Sequence, residues 1–260
     1  MACSRHNRAK SLIRQWHAML LLVALLPVPA FGAEAENREY ENCMRLARTD
    51  PGQGFEVALA WQDLGGGHAA QHCVAVALIG LNQFVQAAER LEALAAAILP
   101  ASDAHRAAIL GQAGTAWFRA EHYDRAFAAQ SAALKLTPDD PELLVDRAMT
   151  LAGAKNYWEA IDDLNRVIED NPNRYDALIL RASAYRFVDA LPLAREDAEA
   201  AYRLAPDRPD VLLEYGIQLR LGGDPDGARQ AWLRLIHLHE GTPASDSARR
   251  NLELLDVKAD

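Results

Sequence analysis

Leu144 to Asn173 reads LVDRAMTLAGAKNYWEAIDDLNRVIEDNPN, and the placing of its apolar and breaking residues decides the fold. Leu144 and Leu151 precede the polar break at Lys155-Asn156, and Leu164 and Val167 follow it. Intervals of this kind put side chains on one stripe of a helix, so each half has an oily flank to hide. Asn171-Pro172 closes the second half, because proline offers no N–H to the helix and pushes the residue before it out of helical geometry. The segment therefore predicts a helix from Pro141 to Gly153, a turn, and a second helix from Tyr157 to Glu169. Ala148 and Ala160 are the small residues where the two would cross, letting the axes approach.

Outward from this hairpin the pattern repeats. Tyr123, Tyr157, Leu191 and Pro225 recur at one constant interval, each followed in the next turn by alanine (Ala126, Ala160, Ala194, Ala228). Pro138, Pro172 and Pro206 keep the same interval, and Glu240 takes the fourth place. Small and aromatic residues recur with them: Gly114 and Trp117 opposite Ala126, Ala182 and Tyr185 opposite Ala194, and Gly216 opposite Ala228 with Trp232 behind it. With its constant period and its helix–turn–helix content, the sequence resembles the tetratricopeptide repeat family.

That resemblance implies an all-α fold, a right-handed superhelical solenoid of antiparallel helix pairs with about six hairpins and a C-terminal capping helix. Four regular units fall at residues 107–140, 141–174, 175–208 and 209–242, and Ser245 to Asp256 reads as the cap, within residues 245–257. The start is less regular. A second unit over residues 68–106 is carried by Ala75, Phe84 and Ala87, but the step from Phe84 to Tyr123 is longer than the regular one, and AILPASDAHR must absorb the excess as a longer loop or longer helices. A first hairpin over residues 39–67 is compressed: a helix from Glu39 to Thr49, a turn at Pro51-Gly52-Gln53-Gly54, and a short helix from Phe55 to Leu64.

Composition agrees with packed helices: half the chain is hydrophobic, aromatics make up 7%, and alanine is abundant. Residues 1–30 are set apart as a secretory signal peptide. Arg5, Arg8, Lys10 and Arg14 precede an apolar run at Met19–Leu26, too short to span a bilayer, and small residues follow at Val28 and Ala30. Cleavage there removes four basic residues and no acidic one, leaving 23 basic against 36 acidic, a net charge of −13. Such a surface repels nucleic acid and anionic lipid. The expected location is the periplasm, with no stable membrane insertion once the signal is cut.

Two further expectations rest on residue pairs. Arg147 and Arg181 share one position of the first helix, Asp163 and Asp197 one position of the second, and units that lack the arginine lack the aspartate, with Ala113 and Ala129 or Tyr215 and Ala231 instead. A seam-facing arginine is costly without a carboxylate, so Arg147–Asp163 and Arg181–Asp197 are expected as structural ion pairs. Export leaves Cys43 and Cys73, at matching heights on neighbouring first helices; a disulfide there would close a loop of about 30 residues, worth about 2–4 kcal/mol.

The resemblance also implies that first helices line an inner, concave face. The positions that look inward include Phe118, Arg119 and Thr115 in the third unit, and Val145, Met149 and Gly153 in the fourth. The fifth supplies Ile179, Ser183, Arg186 and Phe187, the sixth Leu213, Ile217, Arg220 and Leu221. This describes an apolar floor with arginines at one edge, suited to an extended peptide or a helix from a protein partner. The Lys and Asn of the carboxylate-clamp subtype are missing from those positions. A cell-envelope glycan, or an envelope enzyme that the repeats regulate, are the alternative partners; inner aromatics are few, which favours peptide. No nucleophile elbow, phosphate loop, dinucleotide fingerprint or HExxH motif occurs, so neither catalysis nor a cofactor is expected. His68, His72 and Cys73 cluster, and His237 lies near His239, without the acidic companion or helical phase that a metal site needs.

Overall fold

A computed structural model describes residues 31–98 and 101–257; the signal segment expected at residues 1–30 lies outside the described residues. The described residues form helices joined by short turns and no strand. They pair as α1 (Phe31–Thr49) with α2 (Pro51–Asp63), α3 (Gly67–Gly80) with α4 (Phe84–Ala97), and α5 (Asp103–Arg119) with α6 (Tyr123–Leu136). The series continues with α7 (Pro141–Gly153) and α8 (Tyr157–Asp170), α9 (Tyr175–Phe187) and α10 (Leu191–Leu204), then α11 (Pro209–Leu221) and α12 (Pro225–Leu238). A trailing helix, α13 (Pro243–Val257), packs on α12 and α11. This is the helical-hairpin solenoid that the repeat period implied.

The layering follows from which helices touch. First helices meet the next first helix at α1–α3, α5–α7, α7–α9 and α9–α11, whereas successive second helices make almost no direct contact among the described residues. Small residues let the first helices crowd together, and the second helices splay on the other side. Each hairpin crosses at its small pair. Ala148 and Ala160 are both fully buried, with Leu144, Leu164 and Val167 sealing the seam beside them. Where the first-helix residue is glycine, the second helix contributes a bigger side chain: a Cβ on Gly114 would lie 2.5 Å from Gln130, and one on Gly216 would lie 2.3 Å from the Trp232 ring. The volumes compensate across the seam, so the crossing distance is kept.

Five of the six hairpin turns, all but that between α1 and α2, share one geometry that composition hides. Asn82, Glu121, Lys155 and Asp189 all have φ near +60°, and Gly223 takes the corresponding place with φ +85°. These residues end the first helix in a left-handed step that lets the following N–H groups return to the last carbonyls; His122 N–H, for example, reaches Trp117 O at 3.0 Å. Only one of the five is glycine, and so the step left no glycine signal.

The N-terminal region differs from its sequence reading at one turn, and the structure chooses between the two ways of absorbing the longer step before Tyr123. Pro51-Gly52-Gln53-Gly54 is the first turn of α2 rather than a turn between helices: Pro51 occupies the first helical position and the Asp50 carboxylate accepts from Gln53 N–H at 3.1 Å. Gly54 is needed for packing, since a Cβ there would stand 2.6 Å from the Ala47 backbone of α1. The excess between Phe84 and Tyr123 goes mainly into α5, which has 17 residues where α7, α9 and α11 have 13.

Candidate functional site

Because first helices touch their successors, the inward positions divide into two kinds. Val145 and Ile179 are 7% and 5% exposed, covered by neighbouring first helices, and so form the sealed base of the inner face rather than a surface that a partner could touch. Met149 and Phe187 are 37% and 55% exposed. Between them lies a cavity of about 160 Å³ bounded by Ala152, Tyr157, Leu180 and Ser183. The Phe187 ring lies flat on Tyr157, 4.7 Å between centroids and 4° from parallel, so both aromatics are held rigidly at the cavity wall.

The same junction one unit earlier is closed differently. Gly153 stands where the next unit has Phe187, and Tyr123 crosses directly over it: a Cβ on Gly153 would lie 2.7 Å from that ring. Phe118 is half-buried against Tyr123 at 5.9 Å, while Thr115 donates to the Asp146 carboxylate at 3.1 Å, tying α5 to α7. Burial pushes the Asp146 carboxyl above its ordinary range, the Thr115 hydrogen bond opposes this, and Glu142 and Asp140 add repulsion. In the sixth unit Ile217 and Leu213 are half-buried and Leu221 is exposed.

The arginines of the edge are less free than a rim of open charge would be. Arg186 donates to both oxygens of the buried Glu214 carboxylate at 2.8 and 3.0 Å, and to Ser183 at 3.1 Å. Its positive charge is thus matched inside the protein, and its guanidinium also covers Phe187 at 4.4 Å. Arg119 stacks on Phe84 at 4.2 Å. Arg220 is half-buried, with a buried Nε that has no hydrogen-bond partner. Arg186–Glu214 was not legible in the sequence, because neither position recurs with a charged counterpart at both neighbouring units: Ala152 and Leu180 stand one unit before.

The structural pairs form a ladder on the other side of the first helices. Arg147 donates from Nε and Nη2 to the two oxygens of Asp163, each at 2.7 Å, and from Nη1 to Ser131 at 3.2 Å. Arg181 repeats this with Asp197 at 2.7 and 2.8 Å and with Asn165 at 2.7 Å. Ser131 and Asn165 are themselves one repeat apart, so each arginine binds its own second helix and the preceding one. The Asp197 hydrogen bond raises the already high Arg181 pKa further, against the cost of desolvation.

At the N-terminal end Cys43 on α1 and Cys73 on α3 form a disulfide, with Cα atoms 6.2 Å apart and both side chains buried. His72, beside it, is enclosed: its Nδ1 is 2.6 Å from the Tyr40 hydroxyl and its Nε2 is 2.9 Å from Gln112 Oε1, which links α1, α3 and α5. Among the described residues no group of three or more His, Cys, Asp or Glu is placed to hold a metal, and no helix is long and apolar enough to cross a membrane.

Comparison with known proteins agrees with this geometry. Residues 114–185 match the tetratricopeptide repeat family model. The chain has a tetratricopeptide repeat fold. Solved tetratricopeptide-like structures superpose over most of it. PilF of Pseudomonas aeruginosa is 15% identical with a TM-score of 0.62, covering 84% of this chain and 99% of that one. A double mutant of MamA from Desulfovibrio magneticus RS-1 gives 19% identity and a TM-score of 0.57, over 68% and 97% of the two chains. YrrB, described as a tetratricopeptide repeat protein with an unusual peptide-binding site, gives 17% and 0.51, over 74% and 96%. Among curated proteins, none matches the sequence.

Proposed function

We propose that this chain is an exported, periplasmic scaffold that holds an extended peptide or a helix of another protein on its inner face, and that it catalyses nothing itself. The observation that carries the reading is the cavity between Met149 and Phe187, where two large apolar side chains stand exposed on a rigid wall in the middle of the regular units. Exposed apolar surface held rigid is what a binding groove offers: contact area without an ordering cost on the protein side. Two features support export. Residues 1–30 have the charge, length and small-residue exit of a secretory signal, and the Cys43–Cys73 disulfide suits an oxidising compartment. The net charge of −13 expected after cleavage at residue 30 favours a protein partner over nucleic acid.

The test places a photo-crosslinking amino acid at Ser183 in cells and compares the wild-type background with Phe187→Ser. The expected result is one protein crosslinked in the periplasmic fraction, lost on the Phe187→Ser background while the variant accumulates normally. Equal crosslinking with and without Phe187, or an N-terminus still beginning at Met1 in the recovered chain, overturns the binding or the export half of the reading respectively.

A further inference from the structure

We infer that the protein has a second docking site, on the side of α7 opposite the inner face, that takes an arginine side chain of a partner protein. The site is a cavity of about 370 Å³ between α6 and α8. Tyr123 and Phe127 of α6, Leu151 and Ala154 at the end of α7, and the Arg147–Asp163 pair line it. Phe127 is 42% exposed there, so its ring is open to a side chain that enters the cavity.

The repeat fills two corresponding places at the next junction with larger side chains. Shifted by one repeat, Leu151 becomes Tyr185, Ala154 becomes Val188, and Phe127 becomes Ile161. At that later junction the Tyr185 ring lies 5.7 Å from the Arg181 guanidinium and Ile161 is buried. Leu151 is shorter than the tyrosine in the corresponding place beside Arg181.

Its rim is also particular to this junction. Asp124, Glu159 and Asp162 are exposed around the opening, and the corresponding residues one unit later are Trp158, Leu193 and Glu196. Among the described residues none of these three acids enters a salt bridge. The nearby Arg125 is engaged with Glu89 and Glu92, and Arg147 is matched by Asp163. An apolar wall under unmatched carboxylates selects a side chain with an aliphatic stem and a cationic head. A guanidinium fits better than an ammonium: it can lie flat on the outer face of Phe127, whose ring Arg147 already approaches at 5.7 Å, and still donate to more than one carboxylate. An uncharged apolar side chain would bury the carboxylates unpaired, and an acidic one would be repelled. The inference stands apart from the groove reading, since Met149 and Phe187 lie on the other side of the first helices.

The test is amide NMR on the chain titrated with N-acetyl-Leu-Arg-Leu-amide and, separately, with the same peptide carrying citrulline, which keeps the shape and loses the charge. The expected result is saturable shifts at residues 123–127 and 151–154 for the arginine peptide, about tenfold weaker for citrulline. Leu151→Tyr, the residue of the next repeat, fills the cavity and abolishes the shifts. Glu159→Gln with Asp162→Asn, both on the surface, weakens them while the thermal melt stays unchanged. Equal binding of the two peptides, shifts confined to Met149, Ser183 and Phe187, or undiminished binding by both variants overturns the inference.

Discussion

The first two hairpins and the four that follow solve the same packing problem by different means. From α5 onward the helices keep a fixed period, and in the fourth and fifth units a half-buried arginine ties three helices with charged hydrogen bonds. In α1 to α4 the period is broken and the arginine column is empty. There a covalent bond, an enclosed histidine and a glycine-tight crossing occupy the junctions instead. Regular repetition lets each unit bury its flank against a like neighbour; an irregular end loses that fit and needs specific ties.

The largest effect should come from breaking the covalent tie. Replacing Cys43 and Cys73 by serine, or adding reductant, is expected to cost the N-terminal hairpins about 3.5 kcal/mol, because the loop between them regains its freedom in the unfolded chain. Circular dichroism melts should then show the N-terminal helices separating as an earlier transition. A single unchanged transition would mean that the end is held by packing alone.

Next comes the ladder. Asp163→Ala leaves Arg147 half-buried and unpaired and should cost about 3 kcal/mol by urea unfolding. Changing both positions to the combination of the sixth unit, Arg147→Tyr with Asp163→Ala, should cost clearly less, since that pair leaves no buried charge. If the double variant is no better than the single, the ion pair is not what the column preserves.

A smaller loss, about 2 kcal/mol, is expected for Gly54→Ala, whose added Cβ must push α2 off the α1 backbone. Gly153→Ala makes the comparison sharper: its new atom meets the Tyr123 ring, a side chain that can move, and should cost less.

The mildest prediction concerns pH. Burial holds His72 below its ordinary value of 6.5, with His105 and Arg48 adding to the effect and the Gln112 hydrogen bond opposing it. The unfolded chain therefore binds this proton at higher pH than the folded one. The stability that His72 brings is complete above about pH 6.5 and falls as the pH is lowered from there. A Tm series from pH 7.5 to 5.5 should decline, and His72→Gln should flatten it; parallel declines in both would place the titration elsewhere.

The hairpin count, the helix pairing and the seam residues were legible in the sequence because they depend on spacing within a single hairpin, where helical periodicity and proline stops act locally. The Arg–Asp column could be read for the same reason: two residues of one hairpin change together. What the sequence did not show was Arg186 facing Glu214 or Tyr157 lying on Phe187, which do not recur, or the left-handed step at Lys155, which recurs but at residues of unlike type. Val145 and Ile179 illustrate the limit. Both occupy inward positions by phase, yet the closeness of successive first helices decides that they are sealed while Met149 and Phe187 stay open. Local pattern determines which face of a helix is turned inward. Only the distance between neighbouring helices, set by the summed volumes of side chains from separate units, determines what that face leaves uncovered.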